Sequence, residues 1–346
     1  MSPGSPSMIR DRARRAISTG AGTGWVVWTT TEVDGWHPDD MTQLPPTWLV
    51  TWCRRELHAE AVEVLFAAET MSTVVGVRLD DGRRVAVKSR PDECGRAALC
   101  VAVQQVVSAS GFSCPTPLTG VTLSRGRAVH AEDWRPGGQM LRGDGPAVAV
   151  LFAVLFADLM SITVDLAVPP PLPNPPWVRW DDEDPGRWPT GYHDELAAAA
   201  DLPPYIEQTA CRARARIIGA ALPPVIGHAD WETQNLRWKD RKPYAIHDWD
   251  SLAWLPEAVL VGAASGTFAR AETLTLAPLD SSAAFLSAYE HARGHVLTAE
   301  EREVAWAASL LPAVHNARGE TICNSPPVAT AALREQAVTR LAHAGA

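Results

Sequence analysis

Residues 226–250, IGHADWETQNLRWKDRKPYAIHDWD, constrain this chain more than any other stretch. His228, Asp230 and Asn235 stand in an H-x-D-x4-N pattern, and Asp248 follows Asn235 by thirteen residues at the end of a short apolar run. Residues 236–238 and 244–247 predict a hairpin that returns Asp248 to the loop holding Asp230 and Asn235. Phosphoryl transfer needs a carboxylate to receive a hydroxyl proton, then an amide oxygen and a second carboxylate to hold Mg²⁺. A lone H-x-D is common by chance. The full set at this spacing is a specific signal.

The rest of the chain reads as a β-rich region followed by a helical one. Residues 1–42 hold Gly, Ser, Pro and Thr, a basic patch at Arg10–Arg15 and no sustained period, a composition that predicts disorder. LPPTWLVTWCRREL, just after Met41, predicts a helix with Pro near its first turn. AVEVLFAAE, STVVGVRL and RRVAVKSR, within residues 61–90, predict three strands, with Asp80-Asp81-Gly82 as the turn between the last two. A helix over 94–110, a breaker-rich loop GFSCPTPL and two more strands, VTLSRG and RAVHAEDW, follow. Arg135-Pro136-Gly137-Gly138 ends the run, which makes 43–134 and 135–346 the two expected domains. Beyond it the pattern is helical apart from the 236–247 hairpin, with a Pro- and Trp-rich insertion over 168–191.

The loop and metal motifs resemble those of the aminoglycoside phosphotransferase and choline kinase-like family, a branch of the protein-kinase fold whose loop usually reads H-G-D-x4-N. Ala229 takes the glycine position, which is tolerable where φ is negative. The resemblance implies an α+β, two-lobed protein-kinase-like fold: a small β-rich N-lobe for the nucleotide and a mainly helical C-lobe for the acceptor. It implies Asp230 as catalytic base and Asn235 and Asp248 as Mg²⁺ ligands, with Asp250 near the metal or a basic side chain. Lys88, closing the strand VAVK, takes the place of the lysine that reaches the α- and β-phosphates. Read alone it is an ordinary strand-end lysine. Ser72 and Thr73 stand where the family's phosphate loop lies, with no glycine before Gly76. Val129–Asp133 would be the hinge, where main-chain groups such as those of Ala131 and Asp133 read adenine, and Trp134 would pack between the lobes. His228 would brace the loop, and His247, by strand alternation, would fill core. ATP is the expected donor, with GTP as the alternative, and Mg²⁺ the cofactor.

One part of the family pattern is missing. The lysine's usual partner is a glutamate on the following helix, and Val103, Gln104 and Gln105 occupy its region in this chain. Gln104 can hydrogen-bond the ammonium but cannot neutralise it. Glu93 is the rival partner. Arg96 shares the helical face of Gln104 and reads equally as a second phosphate contact or as a solvent-facing arginine.

A formal charge of −9 argues against general nucleic-acid binding and suits a small cationic partner. Six scattered cysteines without a C-x-x-C pair read as free thiols of a cytoplasmic protein, not as a zinc site. The longest apolar run, Ala147–Ala157, ends at Asp158 and predicts a buried helix rather than a membrane span. Residues 181–184 (DDED), beside Trp177, Trp180 and Trp188, read first as a solvated loop and second as a pocket for a cationic acceptor. Glu257 and Glu320 are further pocket candidates, and Trp231 either lines that pocket or packs under the loop. The expected activity is ATP- and Mg²⁺-dependent phosphorylation of a hydroxyl on a small molecule. An aminoglycoside-type antibiotic is the first acceptor class, and a choline-, homoserine- or sugar-like metabolite the next. A non-catalytic nucleotide-binding protein of the same fold is the rival. A protein kinase ranks last, because no D-F-G, A-P-E or activation segment is evident after Asp250.

Overall fold

The structure, a computed structural model, describes residues 44–69, 72–92, 94–167, 172–178, 180, 202–270 and 276–346. The expected extension over 1–42, Glu93, the acid run 181–184 and Trp188 lie outside the described residues. The chain divides into two compact units. One runs to Asp92 and includes Pro117–Trp134; the other comprises Glu93–Thr116 and Arg135–Ala346.

The first unit holds helix α1 (Thr47–Leu57) and strands β1 (Ala61–Glu69), β2 (Thr73–Leu79), β3 (Arg84–Arg90), β4 (Thr122–Ser124) and β5 (Arg127–Asp133). They form an antiparallel sheet in the order β1-β2-β3-β5-β4. Gly82, at φ +86, lets the predicted turn close β2 onto β3. Strand alternation then sorts the side chains. Val75, Val77, Leu79, Val85, Val87, Val129 and Ala131 bury one face against Leu49, Trp52, Cys53 and Leu57 of α1. The other face carries Lys88 and Arg90 of β3 beside His130 and Glu132 of β5, and all four are buried. On that face the Phe66 ring fills the space over Gly76, where a Cβ would sit 2.1 Å from the ring.

The second unit holds α2 (Arg96–Ala109), α3 (Pro146–Thr163), α4 (Pro204–Ala220), α5 (Glu257–Thr267), α6 (Leu279–Arg293), α7 (Ala299–Ala308), α8 (Leu311–Cys323) and α9 (Val328–His343). The helix predicted after β3 forms as α2 but groups with this unit. α3 has the length and hydropathy of a membrane span, yet half of it is buried inside the protein, where it packs along α6. α5 crosses α7 at close range, because a Cβ on Gly262 would sit 2.2 Å from the Ala305 carbonyl oxygen. The predicted hairpin forms as β7 (Leu236–Lys239) and β8 (Lys242–Ile246). A second pair, β6 (Pro224–His228) with β9 (Leu252–Pro256), was not expected. Its strands are short apolar runs, which period alone does not separate from helix flanks. Among the described residues the six cysteines form no disulfide.

Candidate active site

β6 and β9 place the two motifs side by side. His228 pairs with Leu252, so the loop after β6 and the turn before β9 leave the ladder at the same end. The Ala229 N–H donates to the Ser251 carbonyl at 2.9 Å and ties loop to turn. Ala229 lies outside the left-handed region, so a side chain is accommodated where the family has glycine. His228 is fully buried, with its ring edge-to-face against Trp231 and Trp249. Its Nδ1 accepts the Asp230 N–H at 3.2 Å, and its Nε2 donates to the His247 carbonyl at 3.1 Å. Those two bonds fit a neutral ring protonated on Nε2. His228 therefore braces both motifs at once. His247 itself is half-buried, and its carbonyl and N–H both bond within this group.

Inside this frame the acidic and amide groups meet. Asn235 Nδ2 donates to Asp230 Oδ2 at 2.8 Å and to the Asp230 carbonyl at 3.0 Å. The His247 N–H donates to the Asn235 carbonyl at 2.8 Å, which holds Asp248 next to this pair in the chain. Asp248 sits at φ +62, a conformation Asp tolerates better than most residues, and its carboxylate accepts from the Ser251 hydroxyl. Arg96 is committed to the protein's own backbone. Its guanidinium donates to the carbonyls of Pro173, Asp250 and Leu252, so it braces the turn that follows Asp248.

In the first unit, Lys88 Nζ lies 3.0 Å from Glu132 Oε1, and both side chains are buried. Local pattern did not point to Glu132, and Glu93, the rival partner, lies outside the described residues. The amide nitrogen of Gln104 donates to the Pro115 carbonyl at 2.8 Å. His130 is held neutral, its pKa pushed well down by burial and by the nearby Arg90 and Lys88 charges. Trp134 packs on Phe66 and under Arg84 within this unit.

No family model matches the sequence, and no curated protein matches it either. Solved structures do. An amicoumacin kinase in complex with AMP-PNP, Ca²⁺ and Ami aligns with a TM-score of 0.55 at 11% identity, over 81% of this chain and 88% of its own. A microcompartment-associated aminopropanol kinase aligns at 0.52 and 11% identity, over 86% and 94%. A macrolide 2'-phosphotransferase from Brachybacterium faecium aligns at 0.50 and 16% identity, over 85% and 97%. The chain has the fold of the aminoglycoside phosphotransferase-like small-molecule kinases.

Within that kinase-like fold, Asp230, Asn235 and the turn at Asp248 form one hydrogen-bonded group in the helical unit, while Lys88 belongs to the β-rich unit. The donor set fits Mg²⁺. With Nδ2 committed to Asp230, Asn235 has its amide oxygen to offer, and Asp248 adds a hard carboxylate. Asn235 and Asp248 are therefore the residues that would hold a Mg²⁺ ion here.

Other expected residues fall elsewhere. Ala131 has its N–H on the Thr119 hydroxyl at 3.0 Å and its carbonyl on the Leu118 N–H at 2.8 Å, so both main-chain groups have partners inside the unit. Asp133 ends β5 opposite Val85. Thr73 pairs across β2 with Ser89, which puts its side chain on the face away from Lys88; Ser72 sits in the bend before it. Trp231 is fully buried with its ring N–H on the Phe152 carbonyl, so it packs under the loop. Trp177 and Trp180 pack with the apolar core. Glu320 caps α9 through the N–H groups of Ala329 and Thr330, and Glu257 binds Tyr289 and Arg293. Neither is a pocket carboxylate.

Glu232 escaped the sequence reading. It is buried two residues from Asp230 and accepts from Arg270 at 2.6 Å and Gln234 at 2.7 Å. Burial pushes its carboxyl pKa well up, against the pull of Arg270 and with help from Asp230. Nothing in the local sequence announces Arg270, thirty-eight positions on, as its partner.

Proposed function

We propose that this chain is an ATP- and Mg²⁺-dependent phosphotransferase acting on a hydroxyl of a small molecule. The observation that carries the reading is the Asn235–Asp230 hydrogen bond beside the Asp248 turn. It orients one carboxylate and leaves a second carboxylate and an amide oxygen for a cation. Asp230 would orient the acceptor hydroxyl and take its proton as the oxygen attacks the γ-phosphorus and the bond to the ADP oxygen breaks. Asn235 and Asp248 would hold Mg²⁺, which when bound neutralises the β- and γ-phosphates. Lys88 would steady the triphosphate from the β-rich unit. Little covalent chemistry is left to the protein, so catalysis is positioning and charge stabilisation.

The acceptor class is an amine-bearing alcohol. A net charge of −9 favours a small cation, and the structural neighbours include an aminopropanol kinase and antibiotic kinases. An ATP-consumption screen over cationic antibiotics, macrolides and amino alcohols tests this. One or more acceptors should raise ADP release above the acceptor-free rate. Tight Mg·ATP binding with no acceptor-dependent ADP release would instead favour a non-catalytic nucleotide-binding protein.

A further inference from the structure

We infer that Glu132, on strand β5, is a positioning residue for Lys88. The inference rests on the kinase reading proposed above. The sheet register builds the pair directly. Lys88 is opposite His130 and Ala86 is opposite Glu132, so Glu132 is the diagonal cross-strand neighbour of Lys88 on the same face. The gap of 3.0 Å is a charge-assisted hydrogen bond between two buried side chains.

The surroundings sharpen the role. Arg90 lies on the same face, two residues along β3, and its guanidinium is 3.4 Å from His130 Nδ1. Glu132 thus faces the Lys88 ammonium with one oxygen and the His130 ring, at 4.0 Å, with the other. It holds the Lys88 ammonium in a fixed direction before any phosphate arrives. Its position is as rigid as the β3–β5 ladder.

The test compares wild type, Lys88→Met, Glu132→Gln and Glu132→Asp as full chains. Two quantities are read: affinity for Mg·AMP-PNP by calorimetry, and ATP turnover, with water as acceptor and with any acceptor the screen yields. Glu132→Gln keeps the shape and removes the charge. It should lower turnover by roughly tenfold or more while Mg·AMP-PNP affinity stays within about threefold, since lost orientation falls on the transition state more than on ground-state binding. Glu132→Asp keeps the charge one methylene further back and should fall between wild type and Glu132→Gln. It also serves if Glu132→Gln does not fold, in which case wild-type turnover in Glu132→Asp overturns the inference. So does turnover within twofold of wild type in Glu132→Gln, or a loss explained wholly by a smaller folded fraction in thermal melts. If wild type fails to bind Mg·AMP-PNP, the kinase reading itself falls and this inference with it. If Lys88→Met loses turnover and Glu132→Gln does not, the reading stands and only Glu132 is wrong.

Discussion

The two units hold their polar machinery in opposite ways. In the β-rich unit, Lys88 and Glu132 are set by a ladder: register makes them neighbours, and a 3.0 Å hydrogen bond joins them. In the helical unit, Asp230, Asn235 and Asp248 sit on irregular backbone, and a mesh of bonds from His228, Ser251 and Arg96 replaces the ladder. A strand needs few braces because neighbouring strands already satisfy its backbone groups. A loop must satisfy each N–H and C=O separately, so every brace is a point of failure. The difference predicts that single substitutions cost more, and spread further, in the loop than in the sheet.

The largest effect should come at the loop's ligand. Asp248→Ala should cut Mg²⁺-dependent AMP-PNP affinity on the order of a hundredfold or more, read by calorimetry with and without Mg²⁺. An unchanged affinity would remove Asp248 from the metal site. Next is the brace shared by both motifs. His228→Phe keeps an aromatic ring but strands the Asp230 N–H and the His247 carbonyl, at about 1–3 kcal/mol for each buried group left unpaired. Urea unfolding should show that loss; a variant as stable as wild type would show that the loop stands without the histidine.

Gln104→Glu sharpens the comparison from the other side. The Gln104 amide nitrogen donates to the Pro115 carbonyl, so a carboxylate at this buried position would leave that acceptor facing another acceptor. It should destabilise by about 1–3 kcal/mol, and a thermal melt above that of wild type would mean that the new carboxylate finds a donor of its own. The smallest effect should lie at the exposed Arg54–Glu60 pair. Arg54→Ala should cost less than about 1 kcal/mol in denaturant titrations. A larger loss would show that surface pairs in this unit matter more than its ladder.

Much of this was legible in the sequence, and the illegible remainder has a common cause. The strands AVEVLFAAE, TVVGVRL and RVAVKSR are written in local alternation, and the β2–β3 turn in Asp80-Asp81-Gly82, so they could be read residue by residue. The loop from His228 to Asn235 stood out because its residue types are rare together at that spacing. What escaped depends on which distant segments meet. That β3 pairs with β5, and so delivers Glu132 to Lys88, is a fact of sheet order, which local pattern does not encode. That Arg96 reaches the Asp250 carbonyl, 154 positions away, or Glu232 reaches Arg270, is likewise set by packing. The bonds of the Ala131 main chain to Leu118 and Thr119 are of the same kind, since that segment precedes it by a loop and a strand.

A carboxylate at Asp230 that serves the acceptor hydroxyl, and not the nucleotide, leaves a specific kinetic signature. Asp230→Asn keeps the side-chain shape and can still bond Asn235, but it cannot accept a proton. Steady-state turnover with the best acceptor from the screen, measured beside Mg·AMP-PNP affinity, separates the two roles. Turnover should fall by roughly 10²–10⁴ with affinity nearly unchanged. Near-normal turnover in Asp230→Asn would contradict the assignment.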